Sequence, residues 1–300
     1  FTYFYNALAS SLKSVGDSNT PLKFLVFSSL FNMASDIILV GFLGFGIRCS
    51  AITTVIAQAL SALLCIIYIY IKVPVLSIPL KSFRIEKSLL KKTLSYGSIT
   101  ALQQSVQPIC KLLIQGAINT LGVEMIAVFN AVTRVDDFAF TPEQSIGSGI
   151  TTYTAQNDGA GKKERIVKGF RSGMIIEIIY WAFICIFSFS FRYKIMELFV
   201  SDEFPLMINI GAKYIGLMAF LYILPALTNG IQGFMRGIRK MKVTLICTTI
   251  QASMRVVFVY LLISKLSILS VAVASAIGWI LMLLVEVPIY LCYKKNELKI

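Results

Sequence analysis

The sequence predicts an all-α, polytopic membrane protein. Of its 300 residues, 57% are hydrophobic and only 14% are charged, whereas about 25% of the residues of a soluble domain are charged. Long apolar runs, each close to the roughly 20 residues that a helix needs to cross a bilayer, recur from one end of the chain to the other. Lipid, rather than one water-excluding core, accounts for so much apolar surface.

The apolar runs give eight complete candidate spans, and residues 1–12 give the end of a ninth. The eight spans are residues 22–45, 50–71, 93–119, 125–155, 167–191, 205–235, 243–263 and 269–292. Because the chain begins inside an apolar run and not with Met, we expect it to be a fragment whose start is missing.

Basic residues concentrate in alternate connections between the spans. With loops 6–23, 72–92, 156–168 and 236–242 and the C-terminus in the cytoplasm, 20 of the 28 Lys and Arg residues lie on that side, counting Arg171 just beyond the third loop. This asymmetry predicts the orientation of the chain. Anionic lipid on the cytoplasmic face explains the net charge of +13, so no nucleic-acid partner is expected. We expect a multi-pass protein of the cell membrane, specifically the inner membrane of a bacterium.

The residue types that build metal centres and catalytic pairs are missing or scattered. The sequence has no His, and its six Cys residues fall in apolar runs without the close spacing of a metal site. It also offers no pairing of a nucleophile with a base. We therefore expect neither an enzyme nor a metal site.

A charged connection at residues 72–92, which contains Pro74 and Pro79, divides the chain. The blocks on its two sides repeat, because Asn32 and Arg255 occupy matching span positions 223 residues apart, and parallel repeats around a central site are typical of transporters. The repeat predicts about 130 missing residues before residue 1. The predicted domains are the C-terminal part of a first lobe at 1–71, a cytoplasmic linker at 72–92, a second six-helix lobe at 93–292 and a cytoplasmic tail at 293–300.

Three segments resemble the multidrug and toxic compound extrusion (MATE) family of transporters. Residues 156–165, QNDGAGKKER, are similar to the loop after the eighth helix of that family. Residues 13–21, KSVGDSNTP, resemble its loop before helix five, and residues 32–36, NMASD, resemble its helix-five Asn-x-x-x-Asp. The resemblance runs from the end of helix four to the end of helix twelve. It implies two six-helix lobes and export of organic compounds driven by entry of H⁺ or Na⁺, with no other cofactor.

The branch of the family is indicated by two helices of the second lobe. The sodium-coupled NorM-like branch has acidic residues on helices seven and ten. Here helix seven, residues 93–119, carries glutamines, and helix ten, residues 205–235, has no acid. The resemblance is therefore to the DinF-like branch, and it implies that coupling takes place in the first lobe.

Asp36 is the principal candidate for ion or proton coupling. It lies 15 residues beyond Pro21, about 22 Å along a helix, in the outer half of its span. Asn32 lies one turn below it on the same face, and Thr54 lies at a similar depth in the next span. A carboxylate inside a span is costly and usually functional, and with a neighbouring amide and hydroxyl it can bind a proton or sodium. The alternative is a structural Asp that hydrogen-bonds adjacent helices.

Two later spans carry polar stripes that must face protein or a water-filled cavity and not lipid. Together with the polar position Arg255, they supply the candidates for a substrate cavity, although hydrogen bonding between helices is an equal alternative. These candidates are Gln103, Gln104, Gln107, Lys111, Asn130, Arg134, Asp137 and Arg255.

Charged residues within the spans suggest specific pairs. Arg134 and Asp137 are three residues apart on one helix and can pair. Arg255 can pair with Glu286 across the second lobe, or Glu286 can lie near the cytoplasmic interface. Separately, two Gly-x-x-x-Gly motifs, at residues 169–173 and 233–237, permit close approach between helices.

The sequence favours a secondary antiporter that exports small organic, often cationic, compounds and acts as a monomer in the lipid bilayer. One alternative is a lipid-linked oligosaccharide flippase of the same superfamily, which a strongly cationic cavity would favour because its substrate carries pyrophosphate. A cavity with few net charges and many aromatic side chains would favour drug export. A second alternative is a non-transporting membrane scaffold, against which the two lobes and the intramembrane acid argue.

Overall fold

The computed structural model describes residues 1–77, 86–200 and 204–295, and these residues form an all-α polytopic membrane protein, as predicted. A helix covers each of the eight predicted spans and the predicted end of a ninth. The helices are α1 (Thr2–Ser14), α2 (Asn19–Asp36), α3 (Ile47–Lys72), α4 (Lys87–Asn119), α5 (Val123–Gly159), α6 (Lys163–Glu197), α7 (Pro205–Leu221), α8 (Ile223–Gly237), α9 (Met241–Leu266) and α10 (Leu269–Tyr293).

Not every helix is apolar along its full length. Within the described residues, five helices are long and apolar enough to cross a membrane, namely α2 with its continuation to Phe42, α3, α6, α9 and α10. The helices α4 and α5, with 33 and 37 residues, are amply long, but they carry the predicted polar stripes. Their polar faces therefore lower their hydropathy without shortening them.

The predicted single span at 205–235 is broken into two helices. α7 and α8 meet at Tyr222 with a bend of 43°. Pro225 lies in the first turn of α8 and has no backbone N–H, so the carbonyl of Leu221 loses its helical partner. Pro225 thus explains why one apolar run forms two helices.

The chain divides into two compact units, Phe1–Glu86 and Lys87–Ile300. α3 ends at Lys72, and a short 3₁₀ turn at Pro74–Leu76 follows. α4 begins at Lys87, six residues before the predicted span, so the last part of the predicted 72–92 linker is helical. Residues 78–85 of that linker and 296–300 of the predicted tail lie outside the described residues. The assignment of the two units to two transporter lobes stays a prediction.

The turn between α1 and α2 is held by one side chain. Asp17 accepts hydrogen bonds from the backbone N–H of Thr20 at 3.0 Å and from the Tyr68 hydroxyl of α3 at 3.0 Å. These donors, the Thr20 N–H above all, hold the pKa of Asp17 below its ordinary value of 3.8. The first unit therefore has a charged anchor at the turn between α1 and α2.

In the second unit, both Gly-x-x-x-Gly motifs bring a helix against α5. A Cβ added at Gly173 of α6 would meet the Ile150 side chain, and one added at Gly233 of α8 would meet the Gly147 carbonyl oxygen. The outer face of α6 differs, since Phe183 and Ile186 are 64% and 69% exposed, as side chains in contact with lipid would be. The glycines therefore set the helix spacing on the inner side of this unit.

Candidate functional site

The first candidate site surrounds Asp36, where α2 changes to a π-helical segment at Ile37–Phe42. Short π-helical segments occur frequently at functional sites, because they redirect side chains that a regular helix would place elsewhere. The Asp36 carboxylate accepts a hydrogen bond from the Ser50 hydroxyl at 3.1 Å and a second, shorter one from the Thr53 hydroxyl. An acid within a membrane span is thus met by two hydroxyl groups of α3.

The predicted partners lie at the same place. The Asn32 side-chain amide donates to the hydroxyls of Thr53 and Thr54, both at 3.4 Å. Asn32, Asp36 and Thr54 therefore lie together, and Thr53, which is 4% exposed, joins them. Sequence reasoning missed Ser50 and Thr53. Ser50, four residues before Thr54, lies about 40° from it around the helix, whereas Thr53 lies about 100° away, so spacing from Thr54 points to Ser50 alone.

The second candidate site is a cavity of about 620 Å³ enclosed by helices of the second unit. Six of the eight predicted cavity residues line it, namely Gln103, Gln104, Gln107, Lys111, Asp137 and Arg255. The walls also include α8 residues that the sequence did not single out, among them Asn229 and Gln232. The polar stripe of α4 therefore faces the inside of this unit.

Asn130 and Arg134 do not line the cavity, contrary to the prediction. Both are exposed, whereas α5 presents Thr133, Asp136 and Phe140 to the cavity. Because successive helical residues are 100° apart, the face that carries these three residues is turned by roughly 100° from the face of Asn130 and Arg134. Asp137, Gln144 and Ser148, on the predicted polar face of α5, do line the cavity, so part of the predicted stripe reaches it.

The predicted pairing of Arg134 with Asp137 is also wrong. Asp137 pairs with Lys111 of α4, at 3.5 Å between Nζ and Oδ2, and both side chains are more than half exposed. An exposed pair of this kind is worth about 0–1 kcal/mol. The spacing on α5 permitted the Arg134 pair, but a cation on the neighbouring helix is the partner that the fold supplies.

The amides of the cavity are satisfied largely by one another. Gln103 donates to Gln232 at 3.2 Å and to the Thr248 hydroxyl at 3.0 Å, and Gln232 also donates to that hydroxyl at 3.0 Å. Gln107 donates to Gln251 at 3.0 Å. These bonds tie α4, α8 and α9 together. The sequence had flagged only the α4 members, since glutamines on α8 and α9 are isolated within apolar runs.

Asp136 lies at the cavity wall in a fully polar setting. Its two carboxylate oxygens accept hydrogen bonds from Tyr214 at 2.9 Å and Tyr222 at 2.7 Å, and all three residues are buried. Asp136 was not among the candidates that the sequence singled out. The hydroxyls come from α7 and from the residue at the α7–α8 bend, so the broken span supplies both.

Arg255 and Glu286 do not pair. Within the described part of the chain, no ion pair joins them, and Arg255 lines the cavity while Glu286 is 1% exposed. Arg236, of α8, is the cation whose charge interacts with Glu286. The alternative, that Glu286 lies near the cytoplasmic interface, stays a prediction.

Charge in the cavity is low. Its lining contains three cationic residues, Lys111, Arg236 and Arg255, and two acidic ones. Three aromatic side chains, Phe129, Phe140 and Trp279, complete the wall. The cavity can therefore offer hydrogen bonds and aromatic surface to a guest, with only a small excess of positive charge.

Comparison with known proteins assigns the family. The MatE family model matches residues 100–261, which is more than half of the chain. The chain belongs to the MatE family. This match covers α4 to α9, including most of the residues that line the cavity, and it confirms the resemblance seen in the sequence.

Curated MatE relatives are longer than this chain. The chain is 26% identical over 238 residues to the probable multidrug resistance protein YpnP of Bacillus subtilis, covering 79% of this chain and 52% of that protein. It is 25% identical over 236 residues to the probable multidrug resistance protein NorM of Thermotoga maritima, covering 74% and 49%. The chain thus spans about half the length of these relatives.

Solved structures show the same fold. A MOP superfamily transporter from Pyrococcus furiosus, described as having a binding pocket of reverse polarity, matches with a TM-score of 0.89 at 21% identity, covering 99% of this chain and 67% of that one. A MATE protein in a bent conformation matches with a TM-score of 0.86 at 20% identity, covering 99% and 66%. At these identities the likeness concerns the fold alone.

Proposed function

We propose that this MatE protein is a secondary antiporter that exports small organic, often cationic, compounds and is driven by entry of protons or sodium ions. The names of its relatives from Bacillus subtilis and Thermotoga maritima, probable multidrug resistance proteins, support this class of substrate. In this proposal the protein transports its substrates and does not convert them chemically. We further propose that it acts as a monomer in the cell membrane, with the basic loops in the cytoplasm.

The observation that carries the proposal is the setting of Asp36. A carboxylate within a membrane span is held by hydroxyls from Ser50 and Thr53, with the amide of Asn32 beside them. A proton on Asp36 would turn it from an acceptor into a donor, and the hydroxyls, which can do either, would reverse their bonds. A sodium ion would instead draw on the same oxygen atoms. Either ion changes the contacts between α2 and α3.

The cavity of the second unit supports export of organic compounds over flipping of a lipid-linked pyrophosphate. A pyrophosphate needs several convergent cations, whereas this cavity has a small charge excess and one of its cations, Lys111, is already paired with Asp137. Its aromatic and amide walls suit organic cations, which aromatic faces attract. The flippase alternative therefore has less support.

Efflux from energised membrane vesicles tests this function. Vesicles that contain the protein should expel a fluorescent organic cation. Collapse of the gradient that drives the protein, whether of protons or of sodium, should stop this efflux. Vesicles without the protein provide the control. Efflux that survives collapse of both gradients, or no efflux of any organic cation offered, would contradict the proposal.

A further inference from the structure

Two acidic side chains between α5 and α6 have no place in the sites described so far. Glu143 of α5 and Glu177 of α6 are both 0% exposed, and neither lines the cavity. Among the residues that the structure describes, none provides a hydrogen-bond partner for any of their four carboxylate oxygens. Acids buried within a membrane span are rare and usually functional, and these two lack the donors that serve Asp36 and Asp136.

Glu143 and Glu177 lie on two helices that are in close contact. Gly173, one turn before Glu177, lets α6 approach Ile150 of α5, and the charges of Glu143 and Glu177 are near enough to interact. Tyr180 of α6 is near both acids, but its hydroxyl donates to the backbone carbonyl of Ala139 at 3.0 Å.

The other polar neighbours of the acids are few. From the α7–α8 bend, the hydroxyl of Tyr222 lies near Glu143, but it already donates to Asp136. Within residues 1–77, 86–200 and 204–295, no Lys or Arg is among the groups that interact with either acid. In this part of the chain, each carboxyl group is therefore the nearest match in acidity that the other has.

Electrostatics limits the charge that the two buried acids can carry. An unpaired buried carboxylate is penalised heavily, and two of them close together repel each other as well. Bound protons remove both penalties, because they neutralise the acids and let one carboxyl group donate to the other. The geometry thus favours protons held between the helices.

A metal cation fits the same space poorly. Hard cations take about six or more oxygen ligands in proteins, whereas the carboxyl groups supply four oxygens. The remaining unsatisfied group nearby is Trp181 Nε1, which is buried without an acceptor one turn beyond Glu177. An indole N–H only donates, so it offers a cation no ligand, and from one turn beyond Glu177 on the same helix face it would favour the proton-free form of that acid.

We propose that Glu143 and Glu177 form a proton-binding site between α5 and α6, separate from Asp36 and from the cavity. Proton release and uptake at this site would change the contact between the two helices that Gly173 brings together. The evidence for the site is the burial and isolation of its carboxyl groups. Its contribution to transport rests on the function proposed above.

Infrared spectroscopy of the purified intact protein tests the site directly. Glu143→Gln and Glu177→Gln should each remove a carbonyl band of a protonated carboxyl group that wild type shows at neutral pH. Glu124→Gln and Glu164→Gln, exposed positions on the same two helices, provide matched controls and should leave the band in place. Trp181→Phe should change the pH at which the band is lost, which a merely structural role of the acids would not predict.

The outcomes separate this inference from the proposed function. If neither glutamine variant removes a protonated carboxyl band, the site does not exist. If a glutamine variant loses the band but its efflux has the same pH profile as that of wild type, the claim that the site contributes to transport is refuted. The infrared measurement does not depend on transport, so absence of efflux from wild type would overturn the proposed function and leave the site standing.

Discussion

Replacement of Asp36 by Asn should abolish ion-driven efflux while the protein still folds and inserts. Asn keeps the shape of the side chain, but it neither exchanges a proton nor offers a full negative charge to sodium. Its carbonyl can accept from one of the two hydroxyls, Ser50 or Thr53, and its NH₂ can donate to the other. The substitution therefore separates charge from hydrogen bonding at this position.

The structure bounds the cost of this substitution. Two hydrogen bonds to a charged group, worth about 1.5–3 kcal/mol each, become neutral bonds worth about 0.5–1.5 kcal/mol each. We therefore expect Asp36→Asn to cost a total of about 2–3 kcal/mol of stability if the carboxyl is charged at rest, and less if it is protonated. Loss of transport should far exceed what this cost explains, since the folded protein should still predominate in membranes.

The assay is efflux of a fluorescent cation from energised vesicles, with the proton and sodium gradients collapsed separately and the amount of inserted protein measured in parallel. Asn32→Ala and Thr54→Ala should have smaller effects, because their hydrogen bond is long, at 3.4 Å. Thr53→Val should have a larger effect than Thr54→Ala, because Thr53 donates directly to the carboxylate. Transport by Asp36→Asn at the wild-type rate under either gradient would make Asp36 a structural residue.

Three further predictions concern packing, pH and topology. Gly233→Ala should lower the free energy of unfolding by about 1–3 kcal/mol, because its Cβ would meet a backbone carbonyl of α5. The control Gly149→Ala places its Cβ in open space and should not lower it. Equal thermal midpoints of the two variants in detergent would refute this prediction. Asp17, whose pKa is lowered on folding, contributes stability that is present above its ordinary value of 3.8 and lost as the pH falls through the lowered value. The stability gap between wild type and Asp17→Asn should therefore be largest above about pH 4 and shrink in more acid solution, and a gap independent of pH would contradict it. In a cysteine-free background, a single Cys at Lys162 should react only with cytoplasmic reagent and one at Lys265 only with external reagent, so the opposite pattern would reverse the orientation.

The helices were predictable because each apolar run is long and ends in charged or turn-forming residues. The exceptions have local causes. Residues 87–92 extend α4 beyond its apolar part, and hydropathy does not detect water-facing helical turns. The bend at Tyr222 lies in a continuous apolar run, where composition gives no sign of a break and only the missing N–H of Pro225 does.

The first-unit site was accessible to sequence reasoning because depth along neighbouring helices places Asp36 and Thr54 side by side. The second-unit acids were not. Periodicity identified a polar face on α5, and Asp136 and Glu143 are not part of that face. The partners of Asp136 are two tyrosines from α7 and the bend, and the neighbour of Glu143 is Glu177 of α6. Contacts between helices decide these environments, and spacing within one helix does not reveal them.

The bonding pattern of the cavity has a consequence for what it can bind. Gln103, Gln232 and Thr248 satisfy one another, so an apolar guest that leaves these bonds intact would incur no penalty for unpaired polar groups. A guest with its own donor or acceptor could exchange with one of them, because an amide offers both. Under the function proposed above, such a network would accept substrates with different polar groups at similar cost. A wall of fixed charges would instead select one complementary ligand, since every mismatched guest would leave a buried charge unpaired.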